Sequence, residues 1–222
     1  MSVHLLAVDT TSESGSIALT DTERVIEEVV LDAPGGFAHV LFDEIAGLLA
    51  RHGLSLAQID CFATAAGPGS FTGVRVGLTA VKGLAEANRR KAVAVSNLEA
   101  LAFFGSRALR APVLDARRGE IYGAVYDADL RVVQKETVMP LEAWIASLLS
   151  TVAPGDLEIV ANGVALPAHP YREVRAPRAL AGAIARIAAR RFSQGLALDP
   201  AQIDANYVRR SDAELLWRDP RG

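Results

Sequence analysis

The sequence has a single cysteine, no long apolar run and no surplus of cationic charge among its 222 residues. Cys61 has no second thiol with which to form an internal disulfide, and its setting in Ile59-Asp60-Cys61-Phe62-Ala63 reads as a buried strand rather than a reactive site. No stretch approaches the ~20 apolar residues of a membrane helix. The opening Met1-Ser2-Val3-His4-Leu5-Leu6-Ala7-Val8-Asp9 lacks a basic flank, and its apolar run is too short for a secretory signal, so the expected location is cytoplasmic. With 23 Lys and Arg against 26 Asp and Glu, the net charge is −3, a poor basis for gripping a nucleic acid unaided. His4, His39, His52 and His169 show no i, i+4 or His-Glu spacing that would build a metal site. Short-period repeats and low-complexity linkers are also missing.

Half of the residues are hydrophobic, which at this length allows one large domain or two smaller ones sharing an interface. Val3–Val8, Ser14–Thr20 and Val25–Leu31 read as strands, the first two pairing across a turn. Pro34-Gly35-Gly36 ends that run, and Phe37–Arg51 reads as a helix with an apolar surface wider than one ordinary stripe. Ile59–Ala65, a loop over Gly67–Gly73, a helix over Val74–Ala87 and a strand over Lys91–Ser96 form one βαβ unit. Asn97–Gly105 continues as a short helix. Pro112–Ala116, Glu120–Tyr126 and Leu130–Val138 then offer three more strands. Helices over Pro140–Ser150 and Ala176–Gln194 flank a strand at Leu157–Ala161. The opening plan of a hairpin sheet followed by helices is thus repeated, giving lobes at 1–105 and 106–222, the second shortened. Such a duplicated βββαβα plan is the α/β signature of the actin-like, sugar kinase and heat-shock ATPase superfamily, whose lobes face each other across a cleft.

Three segments could carry chemistry. Asp9-Thr10-Thr11-Ser12-Glu13-Ser14 follows the first strand, where hydroxyls and turn amides can bind anionic oxygens and the carboxylate can hold water or a cation. An Asx or Ser/Thr turn closing a hairpin is the competing reading. Gly67-Pro68-Gly69-Ser70-Phe71-Thr72-Gly73 opens a helix whose N-terminus favours anions, but lacks the Gly-Lys-Ser/Thr ending of a Walker loop. It could equally be a tight strand-to-helix connection. In Asp115-Ala116-Arg117-Arg118-Gly119-Glu120 two arginines could bind an anion or a partner's carboxylates, or could simply line a solvated turn.

Read together, Leu6-Ala7-Val8-Asp9-Thr10-Thr11, the stretch from Gly67 to Gly77, Val95-Ser96-Asn97-Leu98-Glu99-Ala100-Leu101 and Leu114–Tyr122 resemble the bacterial TsaB family, also called YeaZ. The match is close over about the first 130 residues and weaker beyond, with Tyr207-Val208-Arg209 as a looser echo. The resemblance implies an actin-like fold and a complex with a catalytic TsaD-type paralogue and a TsaE-type small ATPase. That complex moves threonylcarbamoyl onto the adenosine beside the anticodon of tRNAs reading codons that start with A. The catalytic paralogue carries a His-x-x-x-His metal pair, and those places here correspond to Asn97 and Leu101. Leu cannot ligate a metal and a lone Asn oxygen makes a poor site.

The expected role is therefore a non-catalytic scaffold or activating subunit, with no metal and no catalytic residue. Weak nucleotide or anion contact, with ATP or ADP, is assigned to Asp9, Thr10, Thr11, Gly67, Gly69, Ser70, Asp115, Arg117 and Arg118. Helices Phe37–Arg51 and Gly73–Ala87 are expected to form a helical bundle with the paralogue, or with a second copy in a homodimer, through Leu41, Ile45, Leu48, Val74, Leu78 and Val81, some of them exposed in the protomer. Contact with tRNA would come only through the complex, and no contact with membrane is expected. Two other functions compete: a small-molecule kinase or ATPase using Asp9 and Asp115, and a glycoprotease-type metallopeptidase.

Overall fold

A computed structural model of the chain describes residues 2–209, with ten strands and five α-helices in them. The first sheet is built from β1 (His4–Asp9), β2 (Gly15–Asp21), β3 (Arg24–Leu31), β4 (Cys61–Ala65) and β5 (Lys91–Val95), in the order β3-β2-β1-β4-β5. The hairpin pairs are antiparallel, while β1 runs parallel to β4 and β4 to β5. The second sheet contains β6 (Leu109–Arg117), β7 (Glu120–Asp127), β8 (Val132–Pro140), β9 (Leu157–Ala161) and β10 (Arg172–Arg175), in the order β10-β9-β6-β7-β8. Counted from its own first strand, each sheet has the same order and the same pattern of directions.

Alternation explains why the central strands look continuously apolar. In β1, Leu6 and Val8 face a cluster with Phe62 and with residues of α1 (Leu41–Arg51) and α2 (Phe71–Ala87), whereas Leu5 and Ala7 face α5 (Ala181–Ser193). A parallel strand covered on both faces has no polar side to show. Small side chains dominate the α5 side, with Ala7, Ala18, Ala63, Ala181 and Ala185 in one cluster. Cys61 belongs to that cluster, and burial pushes its thiol up to about 12, as an inert core residue requires.

The second sheet packs α4 (Leu141–Thr151) on one face through Trp144, Ile145 and Leu148. Its other face meets α3 (Asn97–Ala102), whose Leu98 and Ala102 lie against Ala124 and Tyr126. The helices cross the division at residue 105: α3 from the first half packs on the second sheet, and α5 from the second half packs on the first. The connection from β9 to β10 contains no helix, whereas α2 fills the equivalent step from β4 to β5.

Several sequence expectations need correcting. Phe37–Arg51 is not one helix: a 3-10 turn at Phe37–His39 precedes α1, with Val40 at φ −112 between them. Helix α2 starts at Phe71, inside the segment read as loop, capped by Ser70 accepting from the Gly73 amide at 3.3 Å. Helix α5 starts at Ala181 rather than Ala176, its first amides bonded to Ser16 Oγ. Strand β10 was not foreseen, since Arg-Glu-Val-Arg carries a single apolar residue.

The largest correction concerns the expected partner surface. Leu41, Ile45, Leu48, Val74, Leu78 and Val81 are all buried in one intramolecular cluster, so none contributes an exposed patch. The width of the apolar surface on α1 is consumed by packing on the sheet and on α2. Phe42 at 54% and Phe71 at 43% are the large apolar side chains these helices expose among the described residues. No helix among those residues is long and apolar enough to cross a membrane.

Candidate functional site

A cleft of about 720 Å³ opens between the two sheets, at the ends of β1 and β6. Asp9, Thr11, Gly69, Ser70, Asp115 and Arg117 line it, six of the nine residues named from sequence as nucleotide or anion contacts. Thr10 turns away: its hydroxyl donates to the Gly73 carbonyl at 2.7 Å. Gly67 and Arg118 also lie off the lining.

The floor is a closed hydrogen-bond chain. Asp9 Oδ1 accepts from the Thr11 amide at 2.9 Å and from the Thr11 hydroxyl at 2.6 Å. Asn97 Nδ2 donates to Thr11 Oγ1 at 2.6 Å, and Asn97 Oδ1 accepts from the Gly67 amide at 2.9 Å. Asn97 is therefore a strut between the first turn and the glycine loop, at the end of the strand that leads into α3. Asp9 is 1% exposed, and desolvation raises its pKa above the ordinary 3.8 despite the opposing Thr11 hydrogen bonds.

The glycines of Gly67–Gly73 answer a packing demand. A Cβ on Gly73 would fall 1.9 Å from the Thr10 carbonyl oxygen, and one on Gly69 would fall 2.6 Å from that of Thr11. Gly77, one turn further, would meet the Thr10 hydroxyl at 2.7 Å. Three of the loop's amides are drawn inward as well. Gly67 donates to Asn97, Ser70 to the Thr11 carbonyl at 2.7 Å, and Gly73 to the Ser70 hydroxyl. An anion-binding loop would leave such donors directed at its ligand.

Across the cleft, Arg117 and Arg118 hold positive φ of 65 and 59 in the turn between β6 and β7. Arg117 is largely exposed and reaches Glu13 of the opposite wall at 3.3 Å and Asp115 at 3.7 Å. Sequence reasoning missed the rest of the second wall: Leu114, Tyr122, Asn162, Gly163 and Arg178. Asn162 and Gly163 follow β9, and Asn-Gly is a turn signal that could have flagged them; Arg178 sits in a segment read as helix. Among the described residues no three His, Cys, Asp or Glu side chains gather as a metal site. Leu101 is fully buried in the α5-side cluster.

The family described as TsaD, tRNA N6-adenosine threonylcarbamoyltransferase, matches residues 36–166. The chain is 33% identical over 150 residues to the tRNA threonylcarbamoyladenosine biosynthesis protein TsaB of Bacillus subtilis, covering 65% of each. It is 34% identical over 131 residues to the protein of that name in Escherichia coli, covering 57% of this chain and 56% of the relative. The matched region thus spans between about half and two thirds of these curated relatives. Among solved structures, YeaZ from Pseudomonas aeruginosa superposes with a TM-score of 0.76 at 27% identity, covering 92% of this chain and 99% of that one. The family match, the relatives in sequence and the superposition in three dimensions agree, and the chain belongs to the TsaB/YeaZ family.

Proposed function

We propose that this chain is a non-catalytic subunit of the machinery that transfers threonylcarbamoyl to the adenosine next to the anticodon of tRNA, working in the cytoplasm through a TsaD-type catalytic paralogue and a TsaE-type small ATPase. Its two sheets are read as duplicated actin-like lobes, the second shortened by the missing helix between β9 and β10. One observation carries the reading. Asn97 and Leu101, at the places of the paralogue's metal pair, are committed to structure, the first as a strut and the second as core. The glycine loop likewise spends its Gly67, Ser70 and Gly73 amides on the protein itself, which supports weak contact with any ATP or ADP in the cleft and no tightly held cofactor. The kinase reading loses support for the same reason, and the metallopeptidase reading finds no cluster of three His, Cys, Asp or Glu among the described residues to support it.

Self-association in isolation and docking of the paralogue are assigned to the outer surface of α1 and α2 around Phe42 and Phe71. Contact with tRNA comes through the assembled complex. The decisive experiment is co-purification with the TsaD-type paralogue, followed by a threonylcarbamoylation assay with and without this chain. Full modification by the paralogue and small ATPase alone would overturn the proposal, as would threonylcarbamoyl transfer or rapid ATP turnover by this chain alone.

A further inference from the structure

Residues 203–209 run from one lobe to the other, and their contacts alternate between the two. Ile203 is buried in the cluster formed by α1, α2 and the first sheet. The Asn206 amide donates to the Ala66 carbonyl at 2.8 Å, at the end of β4. Asn206 Nδ2 donates to Glu136 Oε2 of β8, in the second sheet, at 2.6 Å. Tyr207 lies 5.4 Å from the Phe71 ring and accepts from Arg75 Nε at 3.3 Å. Arg209 then donates to the Ala116 carbonyl at 2.8 Å and pairs with Glu120, both in the β6–β7 hairpin.

Glu136 is the knot of this arrangement. Besides Asn206 it accepts from the Tyr126 hydroxyl at 2.8 Å and from the hydroxyl of Ser96, the cap of α3 where the chain leaves the first sheet. One carboxylate thus gathers the hinge segment, the second sheet and the C-terminal segment.

We propose that residues 203–209 form a strap that fixes the angle between the two sheets, holding the cleft at one width until the strap is displaced. Two sheets joined by α3, α5, their connections and the exposed Arg117–Glu13 pair would otherwise be free to rock about those connections. The strap ties both walls within one turn of the cleft, at Ala66 beside the glycine loop and at Ala116 beside Arg117. Because Tyr207 is half-exposed, displacement from outside can start at the Phe71–Tyr207 pair.

The test places spin labels on Ala50→Cys in α1 and Ala143→Cys in α4, both exposed, with Cys61 too buried to react. The interlabel distance distribution is compared between the otherwise native full chain and the Asn206→Ala, Arg209→Ala double variant. Release of the strap should widen the distribution about twofold as a rocking motion is added. Hydrogen exchange of the Asn206 amide should accelerate about tenfold in Glu136→Ala, as hydrogen bonds that hold the segment are lost. Should the double variant lose its fold, Asn206→Asp sets a second carboxylate against Glu136 at constant size and must give the same widening. Folded variants with an unchanged distance distribution and unchanged exchange would overturn the proposal.

Discussion

Replacing Gly73 by alanine tests whether the glycine loop is there for close approach. The added Cβ would stand 1.9 Å from the Thr10 carbonyl oxygen and 2.9 Å from its carbon, both backbone atoms of the β1–β2 turn. Neither can swing aside as a flexible side chain would, so α2 or the turn must shift, and the Thr10–Gly73 hydrogen bond shifts with them. Overpacking against immovable neighbours sits at the upper end of its usual range, about 3 kcal/mol. For a chain of this size that lowers the melting temperature by roughly 6–12 °C. Gly83, ten residues along the same helix, is the control, since nothing lies within 4 Å of its added Cβ. There alanine improves helix propensity and restricts the unfolded chain, a gain of about 0.5–1 kcal/mol. Urea unfolding with unchanged m-values should therefore move in opposite directions for the two variants. A Gly73→Ala protein as stable as its parent would refute the reasoning, because the approach of α2 to Thr10 would have to be looser than 1.9 Å implies.

Asp9→Asn keeps the acceptor for Thr11 and removes a buried charge. Since the folded-state pKa of Asp9 is raised, its protonated form favours the native state, and that stability is lost as pH rises from 3.8 through the folded value. The variant should be more stable than its parent at neutral pH and equal to it well below pH 3.8, checked by unfolding across that range. Asn97→Ala strands the Gly67 amide and removes the donor to Thr11 Oγ1, which keeps its own bond to Asp9, and should cost about 1–3 kcal/mol by denaturant titration. Phe42→Lys should stay folded with stability within about 0.5 kcal/mol of the parent while losing homodimer and paralogue binding on a sizing column. Ile45→Lys, in contrast, should fail to fold because its charge would be buried. A folded Ile45→Lys chain would show that α1 is oriented differently.

The alternation of apolar and polar residues, the Gly and Pro breaks and the run of motifs from Asp9 to Tyr122 were local signals, and they sufficed for most strands, for the family and for six cleft residues. Leu157–Ala161 was legible to the residue, since Leu157, Ile159, Val160 and Ala161 make a short apolar run that only Glu158 interrupts. Long-range pairing decided the rest. Whether a wide apolar helix surface faces a neighbour or a partner depends on what the chain brings back to it, and the cluster on one face of the first sheet takes all six residues assigned to the interface. Strand β10 exists because β9 offers a parallel edge to a segment with little strand character of its own. Asn97 looked like a lost metal ligand in one dimension. Only the approach of Thr11 and Gly67, 86 and 30 residues away along the chain, reveals it as the strut that holds the cleft floor.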